Sequence, residues 1–423
     1  MRTWTIVVVV MMALCSASDG DELMPDDAFS RIPVGDRPHP DYDPIGYRIG
    51  SVFFYPRITA GTFYNSNVFA SNANPQADWA TLLSPELTVR YGKLPTPYIT
   101  EPSRFSAEFN VGADIYRFRR LTSEDRIDAH ARLQTHWEIA SDLMLDSKLE
   151  VARKHDQRGD SSSPLNAATP VPHVDARGET TLTKTFGRLG IALSGAVRDL
   201  TYENVLAFDG TPLDQSYRNG TILSTSIRPF YEFSPGYRAF IRAAANTRDY
   251  QGVDALNRDS RGYDIRGGLD FTLTPLVFGS IEAGYLSQSY DNPLISPVTG
   301  PSFKGALTWL ATPLLTVNLS AERRIAETIT PGFDARLDTN FETRLDYELL
   351  RNVIVFAAGQ FSHQDFRGFG RTDTVKKLSG GVNYLMKRHL SIGGRYDYIN
   401  RDSTIPAYTF DQHVVMFNVT AQY

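Results

Sequence analysis

The chain ends in VMFNVTAQY, residues 415–423, and the reading of the fold starts there. Val415, Phe417, Val419, Ala421 and Tyr423 alternate with Met416, Asn418, Thr420 and Gln422, so a strand here is apolar on one face and polar on the other. It also runs to the last residue. Chain ends of soluble domains usually fray, whereas a closed barrel needs a last strand to pair with its first. The pattern predicts a transmembrane β-barrel of a Gram-negative outer membrane, its apolar face set into lipid.

The other end of the chain agrees. Arg2 is followed by the apolar run WTIVVVVMMAL (4–14), then by small residues at Cys15, Ser16, Ala17 and Ser18 and by acid from Asp19. This is the form of a cleavable secretory signal, too short to span a membrane as a helix. Cleavage is expected after Ala17, giving residues 1–17 as signal peptide. Lipid attachment at Cys15 is disfavoured by the bulky Leu14 before it. Cleavage removes the single cysteine, which fits an oxidising periplasm and excludes disulfides and thiolate metal sites. The net charge of −5 is mild and leaves no nucleic-acid footprint.

Residues 18–50 are acidic and rich in proline. Pro38, Pro40 and Pro44 cannot donate to a ladder, so the segment reads as an extended periplasmic arm rather than a sheet interior. From residue 51 to 423 tight turns alternate with long polar loops. The turns are expected at 140–142, 187–189, 234–236, 274–276, 312–314, 350–352 and 387–389, with a longer one at 92–103. Loops are expected at 154–173, 203–215, 249–260, 292–301 and 400–411, all facing outward. The spacing fits pairs of tilted strands of about ten residues. It gives an antiparallel up-and-down barrel of 18 strands, or 16 if the first hairpin lies outside the wall. A soluble β-propeller or β-helix is the competing architecture.

Alternation places charge inside. In the strand at 336–348, Leu337, Thr339, Phe341, Thr343, Leu345 and Tyr347 oppose Arg336, Asp338, Asn340, Glu342, Arg344, Asp346 and Glu348. At 126–137, Ile127, Ala129, Ala131, Leu133 and Trp137 oppose Asp128, His130, Arg132, Gln134 and His136. At 389–398, Leu390, Ile392, Tyr396 and Tyr398 oppose His389, Ser391, Arg395 and Asp397. Such polar runs need a wet lumen. The expected lumen-lining residues are Asp128, His130, Arg132, Gln134, Asp264, Arg266, Arg336, Asp338, Asn340, Glu342, Arg344, Asp346, Arg395 and Asp397. Phe417, Val419, Ala421 and Tyr423 form the expected assembly signal.

Three segments resemble the putative β-barrel porin 2 family: VGDRPHPDYDPIGYRIGS (34–51) running into VFFYPRITAG, FYNSNVF (63–69) and LLSPELTVRYG (82–92). The resemblance implies a pore-like barrel often encoded beside surface-polysaccharide synthesis and export components, and it carries no catalytic motif. The leading expectation is a non-enzymatic conduit or accessory barrel for exopolysaccharide export, the alternative a general or substrate-specific uptake porin. The partners implied are outer-membrane lipid and lipopolysaccharide, the barrel-assembly machinery and polysaccharide-export components.

No cofactor or metal motif stands out. His130 and His136 are six residues apart, about 20 Å along a strand, too far to share a metal. Scattered Gly and Asp in the loops lack the spacing of calcium sites. Of 43 basic residues only 8 are Lys, so Arg dominates. Arg can bind a carboxylate through two parallel hydrogen bonds while staying charged. Interleaved with acids, these arginines form either a track for charged solutes or a lattice of ion pairs bracing the wall, and the mixing favours the lattice.

Overall fold

The computed structural model describes residues 32–94, 103–161, 163–252, 257–326, 335–368 and 370–423; the expected signal peptide and most of the 92–103 connection lie outside them. The chain forms a closed antiparallel barrel. Its strands are β1 (Val52–Asn65), β2 (Asp78–Tyr91), β3 (Phe105–Phe118), β4 (Arg126–Ala140), β5 (Leu143–His155), β6 (Pro172–Phe186), β7 (Leu189–Tyr202), β8 (Gly220–Ser234) and β9 (Tyr237–Tyr250). The second half comprises β10 (Ser260–Thr274), β11 (Val277–Tyr290), β12 (Val298–Thr312), β13 (Leu315–Ala326), β14 (Arg336–Leu350), β15 (Val353–Phe366), β16 (Arg371–Lys387), β17 (Leu390–Ser403) and β18 (Phe410–Gln422). The first hairpin lies in the wall, so the count is 18 and not 16.

Each strand pairs with its chain neighbours, and β18 closes on β1 in a register from Arg57 opposite Gln422 to Asn65 opposite Val414. The amide of Tyr423 donates to the Pro56 carbonyl, 3.1 Å away, carrying the seam to the last residue. The Tyr423 ring stacks on Tyr47 and His389.

Both ends of the barrel wall lie at the tight-turn end. Thr274-Pro275-Leu276 and Thr312-Pro313-Leu314 show why these turns form where they do. Proline presets the first turn dihedral, and the threonine hydroxyl accepts the amide of the leucine two residues on, at 3.2 Å in both. The expected strand length of ten is exceeded: strands run from 12 residues in β13 to 17 in β16. Fourteen residues tilted by about 40° reach about 35 Å along the axis, against an apolar band of about 25 Å, so strand ends project beyond the lipid. For the same reason the loops expected at 292–301 and 400–411 are shorter than read, because β12 starts at Val298 and β17 continues to Ser403. His389 sits in a turn rather than on the inner face of a strand.

Alternation holds along the wall. Phe341, Leu345 and Tyr347 are exposed on the outside while Asp338, Asp346 and Glu348 are buried inside. Leu337 departs from the expected lipid-facing set: it is only 2 % exposed, at the loop end of β14. Aromatics cluster outside near both rims, Phe105, Trp137, Trp309, Tyr347 and Tyr384 at the turn end and Trp79, Tyr263 and Tyr285 toward the loop end. In a membrane barrel these are interfacial girdles.

Glycines inside the strands serve inward phenylalanines. A Cβ on Gly268 would lie 2.4 Å from the Phe240 ring, and one on Gly381 2.5 Å from the Phe356 ring. The missing side chain lets each ring lie flat against the neighbouring strand.

This assignment of faces predicts opposite fates for one residue placed on either side of β14. Leu345→Arg puts a charge against hydrocarbon, costing roughly 2–4 kcal/mol near the midplane, and lowers the yield of heat-modifiable protein in outer membranes. Glu342→Arg, facing the lumen, leaves that yield near wild type. Equal yields of the two variants would mean the faces are reversed.

Candidate functional site: the lumen and its inward loop

The lumen is lined by a repeated pair, an arginine and an aspartate two positions apart on the inner face of one strand. Arg336 meets Asp338 at 2.6 and 2.8 Å, Arg344 meets Asp346 at 2.7 Å, Arg371 meets Asp373 at 2.9 and 2.5 Å, and Arg395 meets Asp397 at 2.8 Å. The reverse order occurs at Asp264 and Arg266 and at Asp175 and Arg177. Inner-face neighbours on a strand stand about 7 Å apart, a span an arginine covers to present two N–H groups side-on.

Each expected lumen residue lies on a strand face that carries buried polar side chains: His136 on β4, Arg266 on β10, Asp338, Asp346 and Glu348 on β14, and Asp397 on β17. Asp128 binds His155 at 2.7 Å, His130 binds Asn110 at 2.8 Å, and Arg132 lies 3.4 Å from Glu150. Asp264 accepts the Ser302 hydroxyl at 2.9 Å, and Arg266 also donates to Glu282 at 3.1 Å. Gln134, Asn340 and Glu342 sit on the inner face without side-chain partners among the described residues. His136 pairs with Asp146 and not with His130. Of the expected assembly residues, Phe417 and Val419 are exposed on the outer face of β18, in line with Ala421 and Tyr423.

The loop between β5 and β6, expected at 154–173 and facing outward, stays at the loop end but turns into the mouth of the barrel. Residues 156–161 and 163–171 fold into the barrel, with Ser161, Ser163, Ala167 and Val171 buried. At the base, the Asp156 amide bonds the Val171 carbonyl. Arg158 donates to both carboxylate oxygens of buried Glu124, at 3.0 and 2.6 Å, and to the Ala167 carbonyl at 2.7 Å. Its guanidinium also lies over Phe69 and Phe208. Gly159 adopts φ +80°, and a Cβ there would meet the Phe410 ring at 2.6 Å. Beyond it the Ser161 hydroxyl accepts from Arg336 on β14. Strands β5 and β14 stand half the circumference apart, so the loop crosses the lumen. It lands on a firm wall, since Arg371 and Asp373 are wholly buried, with Arg371 stacked on Tyr408 and Phe366 and Arg401 3.8 Å from Asp373.

Neighbouring loops hold the crossing in place. Ala168 bonds the Leu206 carbonyl, and Arg218 stacks on Tyr202 at 3.7 Å while donating to Asp156 at 2.8 Å. A small apolar cluster of Phe63, Val68, Ala80 and Phe118 packs under the first two loops.

The opposite mouth is partly covered by residues 32–43. The Val34 amide donates to Thr316 at 2.9 Å, Arg37 pairs with Glu348 in a buried contact, and Arg37 also reaches the Pro313 carbonyl at 2.7 Å. Farther along, Arg388 donates to the Pro40 carbonyl. The arm expected to lead into the barrel is seated in its end, and its Tyr47–Ile49 segment adds a short strand to β1.

Sequence reading missed Glu124, Asp156, Arg158, Ser161 and Arg218, because loop partners have no period. Arg371 and Asp373 were within reach, since they repeat the spacing of Arg336 and Asp338.

A family profile described as "Putative beta-barrel porin 2" matches residues 39–423. The chain belongs to that family. It is an outer-membrane protein with a porin-like barrel. No curated protein sequence matches it. Solved structures with a similar fold include OccK3 (OpdO) of Pseudomonas aeruginosa, 12 % identical over 88 % of this chain and 95 % of that one, with a TM-score of 0.42. OpdK of the same organism is 10 % identical over 88 % and 99 %, at 0.44. OccAB4 of Acinetobacter baumannii is 11 % identical over 92 % and 100 %, at 0.45.

Burial pushes the Asp156 carboxyl up to about 6, with Arg218 opposing the rise. His155, His173 and Asp160 are the other titratable groups near it. At this carboxyl, therefore, a seated loop binds a proton more tightly than an opened, solvated one. That contribution to seating is complete below about pH 4 and is lost as pH rises through about 6. With His173, 3.4 Å from Asp156, replaced by Gln so that it does not titrate alongside, labelling of Ser163→Cys relative to a fully exposed cysteine at the same pH should be slower at pH 5 than at pH 7.5, and Asp156→Asn should flatten the difference. A relative labelling rate that is higher at pH 5 would contradict this sign.

Proposed function

We propose that this protein is a porin for uptake of small polar solutes, with passage limited by the loop at 156–171. The observation that carries this reading is the contact of Ser161 with Arg336, which takes the loop across the lumen from β5 and β6. The wall behind it is charged and water-facing, as passage of hydrated solutes requires. A polymer conduit needs a continuous open bore, so the seated loop favours uptake over the export role that the family resemblance implies. Catalysis is not part of the proposal: Asp128, His130, His136, Asp264, Asp338 and Asp346 are engaged with arginine, histidine, aspartate, asparagine or serine in a bracing pattern.

Conductance of the purified protein in planar bilayers tests the reading. Wild-type channels should conduct weakly, and replacing residues 158–169 with a short Gly-Ser turn should raise conductance several-fold. Unchanged conductance in the deletion would remove the loop from the pathway. Passage of long dextrans through wild-type protein would favour a polymer conduit instead.

A further inference from the structure

We propose that a recess in the lumen wall over β4–β8 is a binding subsite for a small hydroxylated monocarboxylate. The inference deepens the porin reading by naming a solute class, and it rests on that reading only for its physiological sense.

The recess has a volume of about 390 Å³ and is built from two adjacent rungs of the ladder. One runs through Arg132, Glu150, Arg177 and Arg198 to Ile222. The next, toward the turn end, runs through Gln134, Lys148 and Glu179 to Ala196 and Ser224. Long side chains therefore give way to two short ones beneath Arg198, and that step in size leaves the hollow.

Its charge is specific. Arg177 and Arg198 turn their Nε and Nη2 atoms to the same carboxylate, Asp175, so two cations share one acid and Nη1 of each has no acceptor among the described residues. Arg132 lies against Glu150. Lys148 is exposed and makes no ion pair or hydrogen bond among the described residues, and Glu179 on the neighbouring strand is likewise unpartnered. With Lys154, which donates to Glu150 at 3.1 Å, five basic groups face three acidic ones, and this positive excess suits an anionic solute. Lys148 and the free guanidinium edges suit the carboxylate, because charge-assisted hydrogen bonds are the strong ones. Glu179, Gln134 and Ser224 offer acceptors to hydroxyl groups. Glu179 also repels a second negative charge, which disfavours dianions.

The test is gluconate binding to the detergent-solubilised full-length protein by calorimetry, paired with gluconate block of bilayer conductance. Gluconate should bind, and glucose and glucosamine should not. Lys148→Gln should weaken gluconate by about fivefold, the loss of one charge-assisted contact. Lys304→Gln, which removes the same charge from β12 outside the recess, should leave affinity within twofold. Glu179→Gln should tighten gluconate, a gain that a misfolded variant could not produce. Absence of gluconate binding, equal binding of glucose, or equal weakening by Lys304→Gln would overturn the subsite. Binding without conductance would keep the subsite and discard the porin reading, whereas conductance without binding would do the reverse.

Discussion

Everything in this molecule depends on pairing every backbone amide and carbonyl that crosses the lipid. Hydrocarbon offers no substitute partner, so an open sheet cannot exist there and the first strand must find the last. The ladder from Arg57 to Asn65 against Val414 to Gln422 meets that requirement. It joins residues 349 to 365 positions apart, so the seam carries the largest loop-closure cost in the chain. Tyr423 reinforces it through its amide on Pro56 and its ring between Tyr47 and His389.

Closure makes an interior too wide for side chains to fill, and the chain answers with charge. The Arg–Asp pairs run along single strands, so much of the bracing is local and needs only the alternation of the strand. The cross-strand contacts, Arg198 to Asp175 and Arg266 to Glu282, then tie neighbours together. In water such pairs contribute little each. Where they are dry, as at Arg371 and Asp373, loss of one partner strands a buried charge, which typically costs 3–5 kcal/mol. The stacking of Arg371 on Tyr408 and Phe366 replaces water on the guanidinium faces.

The two mouths are treated differently. At the loop end the segment at 156–171 reaches across to β14, held by dry ion pairs at Arg158 and Arg218. At the turn end the arm stays near the wall, fixed by Arg37 on Glu348. Both closures use arginine against a carboxylate buried in the end of the barrel. The middle of the barrel remains lined by partly exposed charges, among them Arg132, Lys148 and Arg177.

The alternation in 415–423, the outer and inner faces of β4 and β14, the two-residue turns and the even strand count were all legible in the sequence. A strand's side-chain period is two, and each turn states its own chemistry, so both are local. The direction of the loop at 156–171 was not legible. A polar loop with Arg158, Gly159 and Ser161 reads as a solvated outward segment. Only the closed wall brings Glu124, Phe410 and Arg336 close enough to draw it inward. The recess over β4–β8 has the same origin: Arg132, Lys148, Arg177 and Arg198 are spread over 67 positions of chain, and the register of four neighbouring strands decides that they meet. Sequence by itself determined which face each residue takes; tertiary structure decided which faces meet, because partners across a closed ring are set by register and curvature, which no local pattern encodes.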